Sequence, residues 1–299
     1  MKAVHLDPGE RARWLDARIK TLEEGLLAER WVSAEEATSA AAVARTLHHL
    51  RRTSGVLEVR AGIRILTGWL AGPPAALIGA ITVRDGVGVD LAASGNVRIG
   101  LAAEGYAAGL EVGRPRIAVV RGHAWAGSPD VAVVEDERAL DEFAVAGIVR
   151  WCTPIIEALD PAGRARGPLW AQVADSLGPI AGMLAEVDPH PDPMRWVARV
   201  ERLLGVRPVP WRHVPKLWTA DAGGHPIPVY QRGSCCLFYR SEEPEGRSEI
   251  DADFAERFGA GSAQYCGTCR LRDAADVEAR TVYWALRARA AETLQSSVQ

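Results

Sequence analysis

Four of the chain's five cysteines stand in two short motifs, Arg232-Gly-Ser-Cys-Cys-Leu-Phe-Tyr-Arg240 and Tyr265-Cys-Gly-Thr-Cys-Arg270. They form an adjacent pair, Cys235 and Cys236, and a C-x-x-C pair, Cys266 and Cys269. Thiolates are soft ligands, and four of them at one point suit zinc or an iron–sulfur cluster. The tight turn of C-x-x-C sets both sulfurs on one side of the backbone, so that pair can share a metal. Adjacent cysteines tend to diverge, and a cluster whose ligands are spread over two irons tolerates divergence better than one tetrahedral ion. The residues lean toward [2Fe–2S] and leave a structural four-cysteine zinc module open. The N-terminus, Met-Lys-Ala-Val-His-Leu-Asp-Pro, lacks the apolar run of a signal peptide. Cysteine usage of this kind in an unsecreted chain predicts a metal site in a reducing, cytoplasmic setting rather than a disulfide framework.

The same residues resemble the C-terminal signature of the FhuF-like ferric-siderophore reductase family, R-x-S-C-C-L-x-Y-R followed by C-x-x-C. The likeness covers residues 232–240 and 265–269. It extends more loosely to Gly167-Pro-Leu-Trp170 and to the proline-rich approach to the first cysteines. It implies that Cys235, Cys236, Cys266 and Cys269 hold a [2Fe–2S] cluster, and that the chain reduces siderophore-bound Fe(III) by one electron to release Fe(II). It also implies a weak preference for hydroxamate-type siderophores. The family's cysteine pairs stand about ten residues apart whereas 29 separate Cys236 from Cys266 here, a lengthening that costs only about 1 kcal/mol in closure entropy. A siderophore-binding or biosynthesis-related protein without turnover is the other reading that the enlarged insert keeps open. Arg232, Arg240 and Arg270 flank the cysteines. They are candidates for substrate contact, and neutralising the cluster's negative charge is the other role open to them.

A net charge of −3 supplies no basic field, so no nucleic-acid partner is expected. Neither a G-x-G-x-x-G between strand and helix nor a Walker A run is present, so an external electron donor such as a ferredoxin or a reductase is implied. Ile65 to Val83 carries no charge and is nearly long enough to span a bilayer, but Pro73-Pro74 interrupts it and Gly68, Gly72 and Gly79 thin it. A buried helix, a proline turn and a second buried helix entering a strand is the expected form, not a membrane span.

The pattern predicts an α+β fold, predominantly helical, with a small and mainly antiparallel sheet at about 80–135 and a C-terminal segment that binds a cluster through four cysteines. Helices are expected over 9–30, from the Ser33/Glu36 capping box to about His49, over 137–159, from Pro168, and from Asp192-Pro193 to Gly205. His48 and His49 stand beside Arg51 and Arg52, where cations suit a helix C-terminus. Ile81-Thr-Val, Val97–Leu101, Arg116–Val120 and Val131–Val134 read as strands. Cys152 sits on the apolar face of 137–159 as a small hydrophobe. The organisation reads as a body over 1–205, then 206–299 with the proline-rich approach, the cluster segment 232–270 and a last helix. That helix opens at Asp273 and turns Val277, Trp284, Ala288 and Ala291 inward. Between the cysteine pairs, the acidic insert 241–264 reads as a helix with Ile250, Phe254 and Phe258 on one face.

Overall fold

The computed structural model describes residues 29–297 apart from 95–96, 103–104, 106, 188–191, 193, 241–255 and 259–264. The helix expected over 9–30 falls outside the described residues except at its end, where Arg30–Val32 forms strand β1 instead. Ser33 and Glu36 make the capping box their spacing predicts. The Glu36 amide donates to Ser33 Oγ at 3.1 Å and the Ser33 amide donates to Glu36 Oε2 at 2.8 Å, opening helix α1 (Ala34–Ala37). That helix does not run on to His49. Thr38 turns its hydroxyl back onto the Ala34 carbonyl, and Ser39 caps a new helix, α2 (Ala40–Ser54). Two successive hydroxyl residues bonding to nearby backbone break the run.

The expected proline turn is absent. Helix α3 runs unbroken from Val59 to Asp85 through Pro73 and Pro74. Prolines deprive the helix of two amide donors, but here neighbouring helices clasp it along its length and hold it together. Gly62 and Gly79 admit that packing: a Cβ at Gly62 would fall 2.3 Å from Leu47 Cδ2, and one at Gly79 2.7 Å from Ile180 Cδ1. By length and hydropathy α3 would suffice to cross a bilayer, and 67% of its most apolar stretch is buried inside the protein.

Ile81-Thr-Val belongs to α3, and the strand begins later, at β2 (Val87–Asp90). Strands β3 (Val97–Leu101), β5 (Arg116–Val120) and β6 (Val131–Val134) keep their expected bounds, and β4 (Ala107–Val112) joins them. In place of one sheet, β1–β3–β4 is antiparallel throughout, while in β2–β5–β6 the pair β5–β6 is parallel. Helix outweighs strand, 54% to 17%, and the sheets are small, so the fold is α+β.

Helix α4 occupies Glu137–Leu159, with Asp136 accepting the Ala139 amide as its cap. Its inward face, Leu140, Ile148, Trp151 and Ile155, meets α3, and Cys152 is wholly buried there. Helix α5 (Arg166–Asp175) starts two residues before Pro168, and α6 (Ile180–Val187) follows it. Asp192 caps α7 (Met194–Leu204) through the Met194 amide, and Gly205 closes it. The proline-rich stretch expected to be extended contains a hairpin, β7 (Lys216–Asp221) with β8 (Pro226–Gln231). Gly223 and Gly224, at φ 67° and 83°, supply the left-handed turn. Trp211 and Leu217 join the core built by α3 to α7.

Helix α8 (Ala274–Ser297) turns Val277 inward as expected, but Arg280 and Tyr283 are the residues buried with it, whereas Trp284 is 52% exposed and Ala288 and Ala291 face outward. An arginine on the inner face disguises the stripe. Arg280 pairs with Asp276 and lies 4.5 Å from the Phe258 ring, which packs edge-on against Tyr283. Ile250 and Phe254 of the insert lie outside the described residues.

Candidate metal centre

The chain leaves β8 directly into Arg232-Gly-Ser-Cys-Cys, and a buried carboxylate at the end of α5 fixes that turn. Asp175 accepts the Gly233 amide at 2.6 Å, the Ser234 amide at 3.1 Å, Arg232 Nε at 3.3 Å and the Ser234 hydroxyl. Burial raises the Asp175 pKa, and Arg232, Ser234 and Gly233 oppose the shift. Gln172, one turn earlier, donates to Ser234 Oγ at 2.5 Å and accepts from Arg232 Nη2. Gly233 has no room for a side chain, because a Cβ would lie 2.3 Å from the Val214 carbonyl oxygen.

The second motif is tied to the first. The Arg232 amide donates to the Thr268 carbonyl at 2.9 Å, and Gln231 Nε2 donates to the carbonyls of Cys269 (3.2 Å) and Arg272 (2.7 Å). Arg270 reaches across to the Gly233 carbonyl at 3.0 Å. A Cys269-to-Cys266 backbone bond of 3.0 Å closes the C-x-x-C turn. Arg272, 6% exposed, braces it by donating to the carbonyls of Cys266 and Tyr265.

The four sulfurs meet in pairs that cross between the motifs. Cys235 hydrogen-bonds Cys269, Cys236 hydrogen-bonds Cys266, and Cys266 also reaches Cys269. The adjacent cysteines therefore diverge, each to a different partner. Among the described residues no group of three or more histidine, cysteine or carboxylate side chains is arranged to hold a metal ion. Hydrogen bonds from the Cys235 and Cys266 thiols push the Cys269 pKa down, with the Leu271 amide and Arg272 adding to the effect. Donating to their neighbours pushes Cys235 and Cys266 up. The Leu237 amide points at Cys235 Sγ and the Leu271 amide at Cys269 Sγ, both at 3.4 Å. Each motif thus offers one amide two residues beyond a sulfur, an arrangement that favours thiolate. Leu237 takes a left-handed φ of 64°, which costs about 1 kcal/mol. Its side chain packs with Ile65 and Trp69 of α3 against Leu50, Val56 and Ala61, and that contact holds the turn.

Arg64 of α3 completes the setting. It is 9% exposed, donates to the Cys235 carbonyl at 2.6 Å, and keeps a buried Nε that has no hydrogen-bond partner among the described residues. Desolvation lowers its pKa, and the Cys235 and Cys236 sulfurs oppose that shift. A buried cation with an unused N–H beside two thiols, and amides aimed at sulfur, fit a negatively charged thiolate-bound metal group.

Of the three arginines that flank the cysteines in sequence, Arg232 is held by Asp175 and Gln172, and Arg270 by the Gly233 carbonyl. Arg240 is exposed, paired with Glu58 at 3.3 Å and stacked on Tyr239. Sequence reasoning missed Arg64, Gln172, Asp175 and Arg272. A lone arginine on the buried side of an apolar helix was the signal for Arg64. No local pattern marks Asp175.

A cleft of about 390 Å³ opens beside the centre, between α2, α3, the end of α5 and β8. Ile65, Trp69, Pro179, Tyr230, Arg232 and Cys236 are among its lining residues. A slightly larger cavity, about 450 Å³, lies between α1, α2 and β3 and borders none of the cysteines, so the smaller one matters for chemistry at sulfur. Compared with protein-family models, curated proteins and solved structures, the chain matches none.

Proposed function

We propose that the chain is an iron–sulfur oxidoreductase that passes one electron to ferric iron held by a siderophore, as its resemblance to the FhuF-like ferric-siderophore reductases implies. The observation that carries the reading is the approach of the two cysteine motifs to each other, Cys235 to Cys269 and Cys236 to Cys266, with Arg64, Arg232 and Arg272 close by. Cys235, Cys236, Cys266 and Cys269 would hold a [2Fe–2S] cluster, which supplies a one-electron reducing centre. The divergent pairing of Cys235 and Cys236 supports a two-iron group over one tetrahedral zinc. Arg64, Arg232 and Arg272 surround the sulfurs with positive charge, and the Leu237 and Leu271 amides stabilise thiolate. The siderophore's hard oxygen donors bind Fe(II) far less tightly than Fe(III), so reduction releases the metal. The electron comes from an external one-electron donor of the ferredoxin or reductase type. The reading places this chemistry in the cytoplasm and requires no membrane span.

Anaerobic purification without chelator tests it. A reddish-brown protein with about two irons and two inorganic sulfides per chain is expected. Stopped-flow mixing of the reduced protein with a ferric trihydroxamate, with a ferrous chelator present, should show rapid reoxidation and ferrous iron appearing. A colourless protein with one zinc per chain establishes the four-cysteine zinc module instead. Tight binding without reoxidation establishes a siderophore-binding protein.

A further inference from the structure

Glycine in mid-helix costs roughly 1 kcal/mol relative to alanine, so each one in a buried helix calls for a reason. In α3, Gly62 and Gly79 have one, since neighbouring side chains occupy the space a Cβ would need. Gly68 has none of that kind. A Cβ there would meet a single atom, Gln172 Oε1, at 3.9 Å, an ordinary contact. Gly68 lines the 390 Å³ cleft instead, and the missing side chain keeps that space open.

The cleft leads to sulfur, and Cys236 is the cysteine that lines it. Its walls are mostly apolar or aromatic, Leu50, Ile65, Trp69, Pro179 and Tyr230, interrupted by Ser54, Gln172 and Ser176. Its one carboxylate, Asp175, already accepts four hydrogen bonds from Arg232, Gly233 and Ser234 and offers an incoming group little. Arg232 spends Nε on Asp175 and Nη2 on Gln172, while Nη1 makes no hydrogen bond among the described residues. The cleft is thus lined by mostly apolar walls, an arginine with one amino group unspent among the described residues, and a cysteine. A ligand suited to it is apolar outside and rich in oxygen at its centre. The volume is within the usual range for small-molecule sites, roughly 300–1,000 Å³.

We propose that the Gly68 cleft is the docking site of the ferric chelate, with the chelated metal facing Cys236 and Arg232 Nη1 donating to its oxygen donors. This inference rests on the reductase reading for the identity of the ligand. The reaction balances as one electron: the reduced centre, charged by an external donor, loses it, and chelated Fe(III) gains it to become Fe(II). No bond to the protein forms or breaks.

Binding is measured apart from electron transfer with the gallium(III) complex of a linear trihydroxamate, which has the charge of the ferric complex and is not reduced. Calorimetric titration of the purified protein should give saturable binding. Gly68→Leu fills the cleft, replaces a poor helix former and should weaken binding at least about tenfold. Gly68→Ala should bind nearly as the native chain does, and Arg232→Lys should weaken binding less than Gly68→Leu. Iron content, visible spectrum and melting temperature of Gly68→Leu should equal or exceed those of the native protein. Undiminished gallium-chelate binding by Gly68→Leu, or no binding by the native protein, overturns the cleft assignment even if ferric chelates are reduced. A protein free of iron whose binding still depends on Gly68 would retain the cleft and discard the reductase reading.

Discussion

The guanidinium of Arg64 donates to the backbone carbonyl of Cys235 at 2.6 Å, joining residues 171 positions apart. Through this bond the longest helix among the described residues carries the turn that bears the first two sulfurs. The same side chain leaves a buried N–H beside those sulfurs.

Replacing Arg64 by Met should therefore have two separable effects. Loss of a cation beside the centre disfavours adding an electron, so the midpoint potential should fall by tens of millivolts, about 59 mV being tenfold in a one-electron equilibrium. Stability should fall by about 1–3 kcal/mol, because the Cys235 carbonyl loses its charged donor. Spectropotentiometry and thermal melting read the two; an unmoved potential would show that Arg64 is only a brace.

The five cysteines should sort four against one. Serine at Cys235, Cys236, Cys266 or Cys269 should bleach the protein or strip its iron. Cys152→Ser should keep the visible spectrum and lower stability by about 1–3 kcal/mol, since it puts a hydroxyl in a fully buried site where burial holds the thiol pKa high. Bleaching by Cys152→Ser would show that a ligand has been misassigned.

Asp175→Asn keeps the shape of the residue that fixes the first cysteine turn but removes its charge. Arg232 then loses its ionic partner, and two amides and a hydroxyl lose a carboxylate acceptor. About 3 kcal/mol of stability should go, with faster loss of iron to a chelator. Iron retention equal to the native protein would separate this network from the metal centre.

In the turn after β5, His123 should set an acid limb in the stability profile. Burial lowers its pKa from the ordinary 6.5, and its Nδ1 accepts the Trp125 amide at 3.2 Å. The unfolded chain therefore takes up this proton first. The contribution of His123 is intact above pH 6.5 and declines below it, until it is lost as pH falls through the lower folded pKa. His123→Gln should flatten that limb in melting curves followed by tryptophan fluorescence. A limb of undiminished slope would assign it to another group.

What could be read from the sequence was local. The bounds of β3, β5, β6 and α4 follow from side-chain period and capping residues, and so does the Ser33 capping box. The four cysteines stood out by type and spacing. What escaped depends on contacts between distant segments. Pro73-Pro74 reads as a break because local rules do not include the neighbours that clasp α3. Beyond Val277, the inner face of α8 was misread because Arg280 is buried by pairing with Asp276 and lying against Phe258. Asp175 holds Ser234 from 59 positions away, and nothing near it in sequence announces the role.

The Asp175 and Arg64 contacts also determine when the site can exist. Contacts that close such long loops form late, after local helices and turns have gained their own stability. On the proposed reading, metal capture would then proofread the fold. A chain misassembled around Arg64 or Asp175 would carry every cysteine and still fail the inspection.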